Sequence, residues 1–170
     1  MRTKHVIVED YNLEWKNEFK RIENELLVIL SGKIKSIEHV GSTSVEGLSA
    51  KPIIDIDIVI DQNFEEVRQA LESIGYTYEG DLGISGREAF KYQNKLHLMV
   101  HHLYVCNKDN EELRRHIKFR DYLRQDKEDR DKYSEIKKEM AFKYSEDIDS
   151  YIAAKQSVIL EIYKKCGLCE

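Results

Sequence analysis

Apolar residues recur along the chain at two different spacings. Trp15, Phe19, Ile22, Leu26 and Ile29/Leu30 keep a helical period that Ser31-Gly32 stops, which predicts an N-terminal amphipathic helix. Lys33 to Val40 alternates as a short strand, and Gly41-Ser42-Thr43-Ser44 interrupts it. After Pro52 comes the most apolar stretch, Ile53 to Ile60, whose β-branched content predicts a central strand covered on both faces. Phe64, Val67, Leu71 and Ile74 predict a second helix ended by Gly75. Strand-like pieces follow around Tyr76–Tyr78, Glu88–Tyr92 and Leu96–Val105, with Gly80, Gly83 and Gly86 marking a loop between the first two. From Asn107 onward the pattern is helical and charged, with helices near 109–124, 127–144 and 147–165. No proline-rich linker or internal repeat divides the chain. The expectation is one α+β domain over 1–170, a small mixed β-sheet (about 1–105) with an N-terminal helix and three C-terminal helices (about 106–170) packed on it.

Two charges break the apolar logic of the central strand. Asp55 and Asp57 are two residues apart, so their side chains leave the same face, roughly 6.5–7 Å apart at the backbone. An ionised carboxylate in an apolar layer must be paired or coordinated. Either both acids meet solvent or arginine at a sheet edge, or they converge on a hard divalent cation such as Mg²⁺ or Mn²⁺, which prefers oxygen ligands and phosphate. The Gly41-Ser42 turn just upstream suits phosphate oxygens, because backbone N–H groups and a hydroxyl can approach where a bulkier residue would block them.

Composition narrows the partners. The 170 residues are 41% hydrophobic and 35% charged, with Lys+Arg 27 against Asp+Glu 32 and a net charge of -5, so a long nucleic acid is not the expected ligand. The excess acid lies within residues 1–105. No apolar run reaches the roughly 20 residues of a membrane span, and no signal-like core follows Met1, so no membrane association and a cytoplasmic location are expected. Three cysteines give an odd count without a disulfide framework. Cys166-Gly167-Leu168-Cys169 supplies only two of the four ligands of a structural zinc and reads as reduced thiols on a tail.

Together the Gly-Ser loop and the Asp-x-Asp strand resemble the signature of the nucleotidyltransferase superfamily. The longer block Glu38-His39-Val40-Gly41-Ser42-Thr43-Ser44-Val45-Glu46-Gly47-Leu48-Ser49-Ala50-Lys51-Pro52-Ile53-Ile54-Asp55-Ile56 resembles the hallmark of the GrpB-like family within it. The resemblance continues through His97-Leu98-Met99-Val100, Phe119 to Arg124, Tyr133 and Lys155, and so covers essentially the whole chain. It implies a sheet of nucleotidyltransferase type and a nucleotide or other phosphate-bearing ligand; for most members the reaction is not established. Glu46 stands where the family commonly has proline, and Met99 where a second histidine is common. The third carboxylate of active nucleotidyltransferases is missing from the strand Leu96–Val105, which offers His97 and His101 on one face.

Helical phase adds two cations. Arg120 falls on the stripe of Leu113, His116, Ile117 and Leu123, and Lys155 lies amid Ile148, Ile152, Ile159 and Ile162; each either pairs with an acid or points toward phosphate. Lys51 follows the loop closely enough to touch phosphate, while Arg87 and Tyr92 are weaker candidates. The charge run from Arg124 to Lys138 reads as a solvated helix face. The expected protein is thus a metal-dependent nucleotidyltransferase-like enzyme. Gly41, Ser42, Lys51, Arg120 and Lys155 would hold a nucleoside triphosphate, Asp55 and Asp57 the metal, and His97 would stand in for the third acid. The alternatives are a catalytically inactive binding or regulatory module and, behind it, a phosphohydrolase.

Overall fold

The computed structural model describes residues 5–168. Helix α1 (Glu14–Leu30) leads into β1 (Ser36–Val40), then β2 (Ile54–Ile60), α2 (Phe64–Ser73), β3 (Tyr76–Gly80), β4 (Arg87–Tyr92) and β5 (His101–Asn107). Three helices follow, α3 (Glu111–Gln125), α4 (Lys127–Lys143) and α5 (Ile148–Lys165). The strands form one mixed sheet in the order β1-β2-β5-β4-β3, with β2 and β5 parallel and the other neighbours antiparallel. This is the α+β class expected from the sequence, and the three C-terminal helices start and stop within two residues of their predicted bounds.

Strand β2 explains how the sheet is dressed. Ile54, Ile56, Ile58 and Ile60 point to one face, where they meet Trp15, Phe19, Ile22 and Leu26 of α1 and Val67 and Leu71 of α2 in the main core. The opposite face carries Asp55, Asp57 and Val59. Val59 packs with Cys106 of β5 and Leu113 of α3, so α3 closes that face at one end. Helices α4 and α5 rest less on the sheet than on the segment after β1, through Val45, Leu48, Leu123, Tyr133 and Ile162. A cleft therefore remains where Asp55 emerges.

Strand β5 differs from its prediction. It begins at His101, and Leu96 to Val100 precede it as an irregular segment. Of the apolar face predicted for α5, Ile162 is buried, whereas Ile152 is 39% exposed; Tyr151 takes the buried place. Cys169 lies outside the described residues, so the Cys-x-x-Cys reading finds no structure to meet.

Candidate functional site

Strand β1 ends at Gly41, whose backbone (φ 72°, ψ −175°) is open only to glycine. Side-chain volume would be excluded as well, because a Cβ there would lie 2.4 Å from Oδ2 of Asp55. The chain then makes one tight 3-10 turn over Ser42–Ser44, in which the Ser44 amide and hydroxyl both donate to Gly41 O. Arg124 of α3 clamps the turn by donating from Nε and Nη2 to Ser44 O at 3.0 and 2.8 Å. Thr43 donates its hydroxyl to Ile53 O, which leaves its oxygen to accept from Nε2–H of His39 at 2.9 Å. Burial pushes the His39 imidazole down to about 4, against a smaller opposing pull from Asp55, so it is neutral at pH 7.

Between this turn, β2 and the two last helices lies a cavity of about 220 Å³. Lys51, Lys137 of α4 and Lys155 of α5 all line it, with Ser42, Asp55 and His102. Three amines face one carboxylate. Lys137 is 2% exposed and its Nζ sits 2.5 Å from Ser42 Oγ while donating to Ser49 O at 3.0 Å. Tyr133 places its ring 4.7 Å from that nitrogen. A ring face offers roughly 2 kcal/mol or somewhat more to a desolvated cation, less than the several kcal/mol an ammonium loses on leaving water. Burial first, then repulsion from Lys155 and Lys51, accordingly holds the Lys137 pKa well below the ordinary lysine value. Lys155 rests over the ring of Tyr151 at 4.7 Å, and burial with repulsion from Lys51 lowers its pKa to about 8. Lys51 is lowered by burial too.

Asp55 and Asp57 do leave the same face, but they meet different surroundings. Asp55 is the cross-strand partner of His102 in the parallel β2–β5 register, and His102 Nδ1–H donates to its Oδ1 at 2.9 Å. Asp57 is fully buried beneath α3, where Oδ2 accepts from Nδ1–H of His116 at 2.6 Å and Oδ1 has no hydrogen-bond partner. Burial disfavours charge on His116, yet the hydrogen bond and field of Asp57 outweigh it and raise its pKa. Among the described residues, no three His, Cys, Asp or Glu side chains converge into a set able to hold a metal ion. An imidazole takes one oxygen of each aspartate, so a Mg²⁺ or Mn²⁺ at the Asp-x-Asp strand would be held by the remaining oxygens, Oδ2 of Asp55 and the unpartnered Oδ1 of Asp57.

A protein-family model described as GrpB protein matches residues 5–165. The chain belongs to the GrpB family. It is 34% identical over 163 residues to a UPF0157 protein of Halalkalibacterium halodurans, spanning 93% of this chain and 80% of that one. It is 32% identical to the glutamate-rich protein GrpB of Alkalihalophilus pseudofirmus, over 92% of this chain and 93% of the relative. The crystal structure of the conserved protein GrpB from Enterococcus faecalis superposes with a TM-score of 0.78 at 34% identity, covering 94% of this chain and 98% of that one.

Within this GrpB fold the predicted site residues separate into two groups. Ser42, Lys51, Asp55 and Lys155 line the cavity and Gly41 borders it against Asp55. Asp57 lies behind it, and His97 and Arg120 are elsewhere. His97 is 62% exposed and hydrogen-bonds Glu25 of α1 at 2.7 Å, on the isoleucine side of the sheet. It does not take the place of a third acid. Arg120 donates to Glu38 and Asp121, both at 2.9 Å, and to His39 O at 3.1 Å, so its charge is spent in a salt bridge between α3 and β1. His101 is a core residue. Its Nδ1–H donates to Met99 O, its Nε2 accepts from the Tyr76 hydroxyl, and burial pushes its pKa down to about 4. Tyr92 stacks on it, and Arg87 lies over the Tyr104 ring.

Three residues escaped the sequence reading. His102 was hidden by the phase of β5, and His116 appeared only as one member of an apolar stripe. Lys137 falls in the charge run that reads as a solvated face, yet Asp129, Tyr133, Lys137 and Ala141 repeat every four residues and are all buried on one face of α4. That polar stripe was the available signal. No described helix is long and apolar enough to cross a membrane.

Proposed function

We propose that this chain is a nucleotidyltransferase-like protein that seats the phosphates of a nucleoside triphosphate in the Ser42–Lys137 cavity and passes a nucleotidyl group to an acceptor. The observation that carries this reading is the convergence of three amines on one partly enclosed space with a single carboxylate. Such a site suits an anion, since an incoming negative charge offsets the mutual repulsion of those amines that stay protonated. The volume is below that of a typical drug-sized pocket, so it suits the phosphate chain, with the remainder of the ligand at the mouth. Lysines here offset the charge that a metal offsets in other phosphoryl-transfer sites.

A second reading, a binding module without turnover, is favoured by Asp57, the acid held under α3 instead of facing the cavity. Calorimetric titration separates these readings. In EDTA, pyrophosphate and ATP should bind and adenosine should not, and Lys155→Ala should weaken both phosphates by roughly 10-fold or more, the worth of one charged hydrogen bond. Asp55→Asn should tighten phosphate binding by removing a like charge. Binding that appears only with Mn²⁺ and disappears in Asp55→Asn would instead assign the metal role to Asp55. Adenosine binding equal to ATP would sink the phosphate reading. A transfer screen with labelled nucleoside triphosphates then distinguishes enzyme from module.

A further inference from the structure

We infer that Ser42 and Lys137 form a nucleophile and base pair that takes the phosphorus of the bound ligand onto Ser42 Oγ. The inference rests on the reading of the cavity as a phosphate site and gives it a covalent step. Four hydroxyls lie along the segment from Ser42 to Ser49, and three are unsuited. The Thr43 hydroxyl is committed to Ile53 O and accepts from His39. Ser44 Oγ donates to Gly41 O at 2.5 Å, and Ser49 Oγ turns toward Asp10. Ser42 alone among them both lines the cavity and abuts a buried amine, with Oγ 2.5 Å from Lys137 Nζ and a second hydrogen bond to the Tyr133 hydroxyl.

The surroundings of Lys137 suit a base better than an anchoring cation. Its Nζ has two oxygen neighbours, Ser42 Oγ and Ser49 O, and among the described residues no carboxylate stands within ion-pairing distance. As an ammonium Lys137 donates to both oxygens; as a neutral amine that keeps an N–H on the Ser49 carbonyl, it turns its lone pair to Ser42 Oγ and can receive the serine proton. Burial and the neighbouring Lys51 and Lys155 both favour the neutral amine. Position is fixed from both sides. The Ser42 turn is clamped by Arg124, while the Ser49 amide donates to Ser134 Oγ, one turn before Lys137 on α4.

In the step, the Ser42 Oγ–H proton moves to Lys137 Nζ as an Oγ–P bond forms. The bond from phosphorus to its leaving oxygen breaks, and the electron pair departs with that oxygen. Lys51 and Lys155 line the same cavity and would carry the charge that builds on the phosphoryl oxygens. Return of the group to an acceptor hydroxyl or water reverses the proton's path and regenerates the pair. The same residues thus admit both transfer and hydrolysis.

Monofluorophosphate is a small anion that tests the step directly, because attack by Ser42 expels fluoride and leaves phosphoserine. Incubation of the whole protein followed by peptide mass spectrometry should locate the phosphoryl group on Ser42. Excess pyrophosphate should suppress it. Lys137→Arg, which keeps a cation but offers no base, should reduce the yield at least 10-fold, and Ser42→Ala should abolish it. Should Lys137→Arg fail to fold, the wild-type rate against pH decides: it should rise and level off well below pH 10. An unmodified Ser42, or labelling as fast in Lys137→Arg as in wild type, overturns the inference. Pyrophosphate titration of the wild type reports separately on the cavity as a phosphate site.

Discussion

Gly41 shows how far a single residue can tie backbone to chemistry. Its dihedral region belongs to glycine, and any side chain would be driven into the Asp55 carboxylate. Gly41→Ala is expected to lower stability by about 2–4 kcal/mol, combining backbone strain with the displaced carboxylate. Urea denaturation measures the loss, and the His102 imidazole resonances should shift as Asp55 Oδ1 is pushed from Nδ1. The glycine and its serine were legible only in combination with the Asp-x-Asp strand that follows, because a Gly-Ser turn by itself is common. Lys155 was legible because a lone cation broke an apolar helical stripe. Lys137 was not, since charge surrounds it along the chain and the groups it meets in the fold, Ser42 and Ser49, are remote in sequence.

At the scale of elements, the strand that gave the weakest prediction is the one that completes the site. Leu96, Leu98 and Val100 alternate on even numbers, whereas Leu103 and Val105 alternate on odd ones. Reading both sets as one strand forces a single phase and places His97 and His101 together on the working face. The structure divides them, with β5 starting at His101, and the odd phase turns His102 toward Asp55. The reversal depends on the parallel pairing with β2, which no local pattern encodes. The second acid has a comparable dependence. Asp57 is fully buried and pairs with His116 of α3, so β2 and α3 are tied by an ion pair. Removing one member strands the other's charge. His116→Ala should therefore destabilise by about 3 kcal/mol, and Asp57→Asn in that background should recover part of it. Folding free energies of the two single variants and the double variant provide the check, and additivity would deny the pair.

Across the whole molecule, the shifted groups predict a stability profile with three regimes. His39 and His101 have native pKa values near 4, below the ordinary 6.5, so the unfolded chain binds more protons between those values and stability falls as pH drops from 6.5 to 4. Each contributes on the order of 3 kcal/mol across that window. His116 has the opposite sign: its raised pKa gives stability that is complete below 6.5 and is lost as pH rises through the native value. Lys155, lowered to about 8, and Lys137, lowered further, are depressed bases, so stability climbs again as pH passes from about 8 toward 10.5. Pyrophosphate should flatten the part of this rise that Lys155 supplies, because an anion beside Lys155 restores its affinity for protons. Chemical denaturation from pH 4 to 10, with and without pyrophosphate, reads all three regimes. Calorimetry at pH 9 in buffers of different ionisation heat should show protons taken up on binding, and fewer in Lys155→Met. An alkaline limb indifferent to pyrophosphate would mean that the amines are relieved by the protein itself, and the cavity would then lose its reason to bind phosphate.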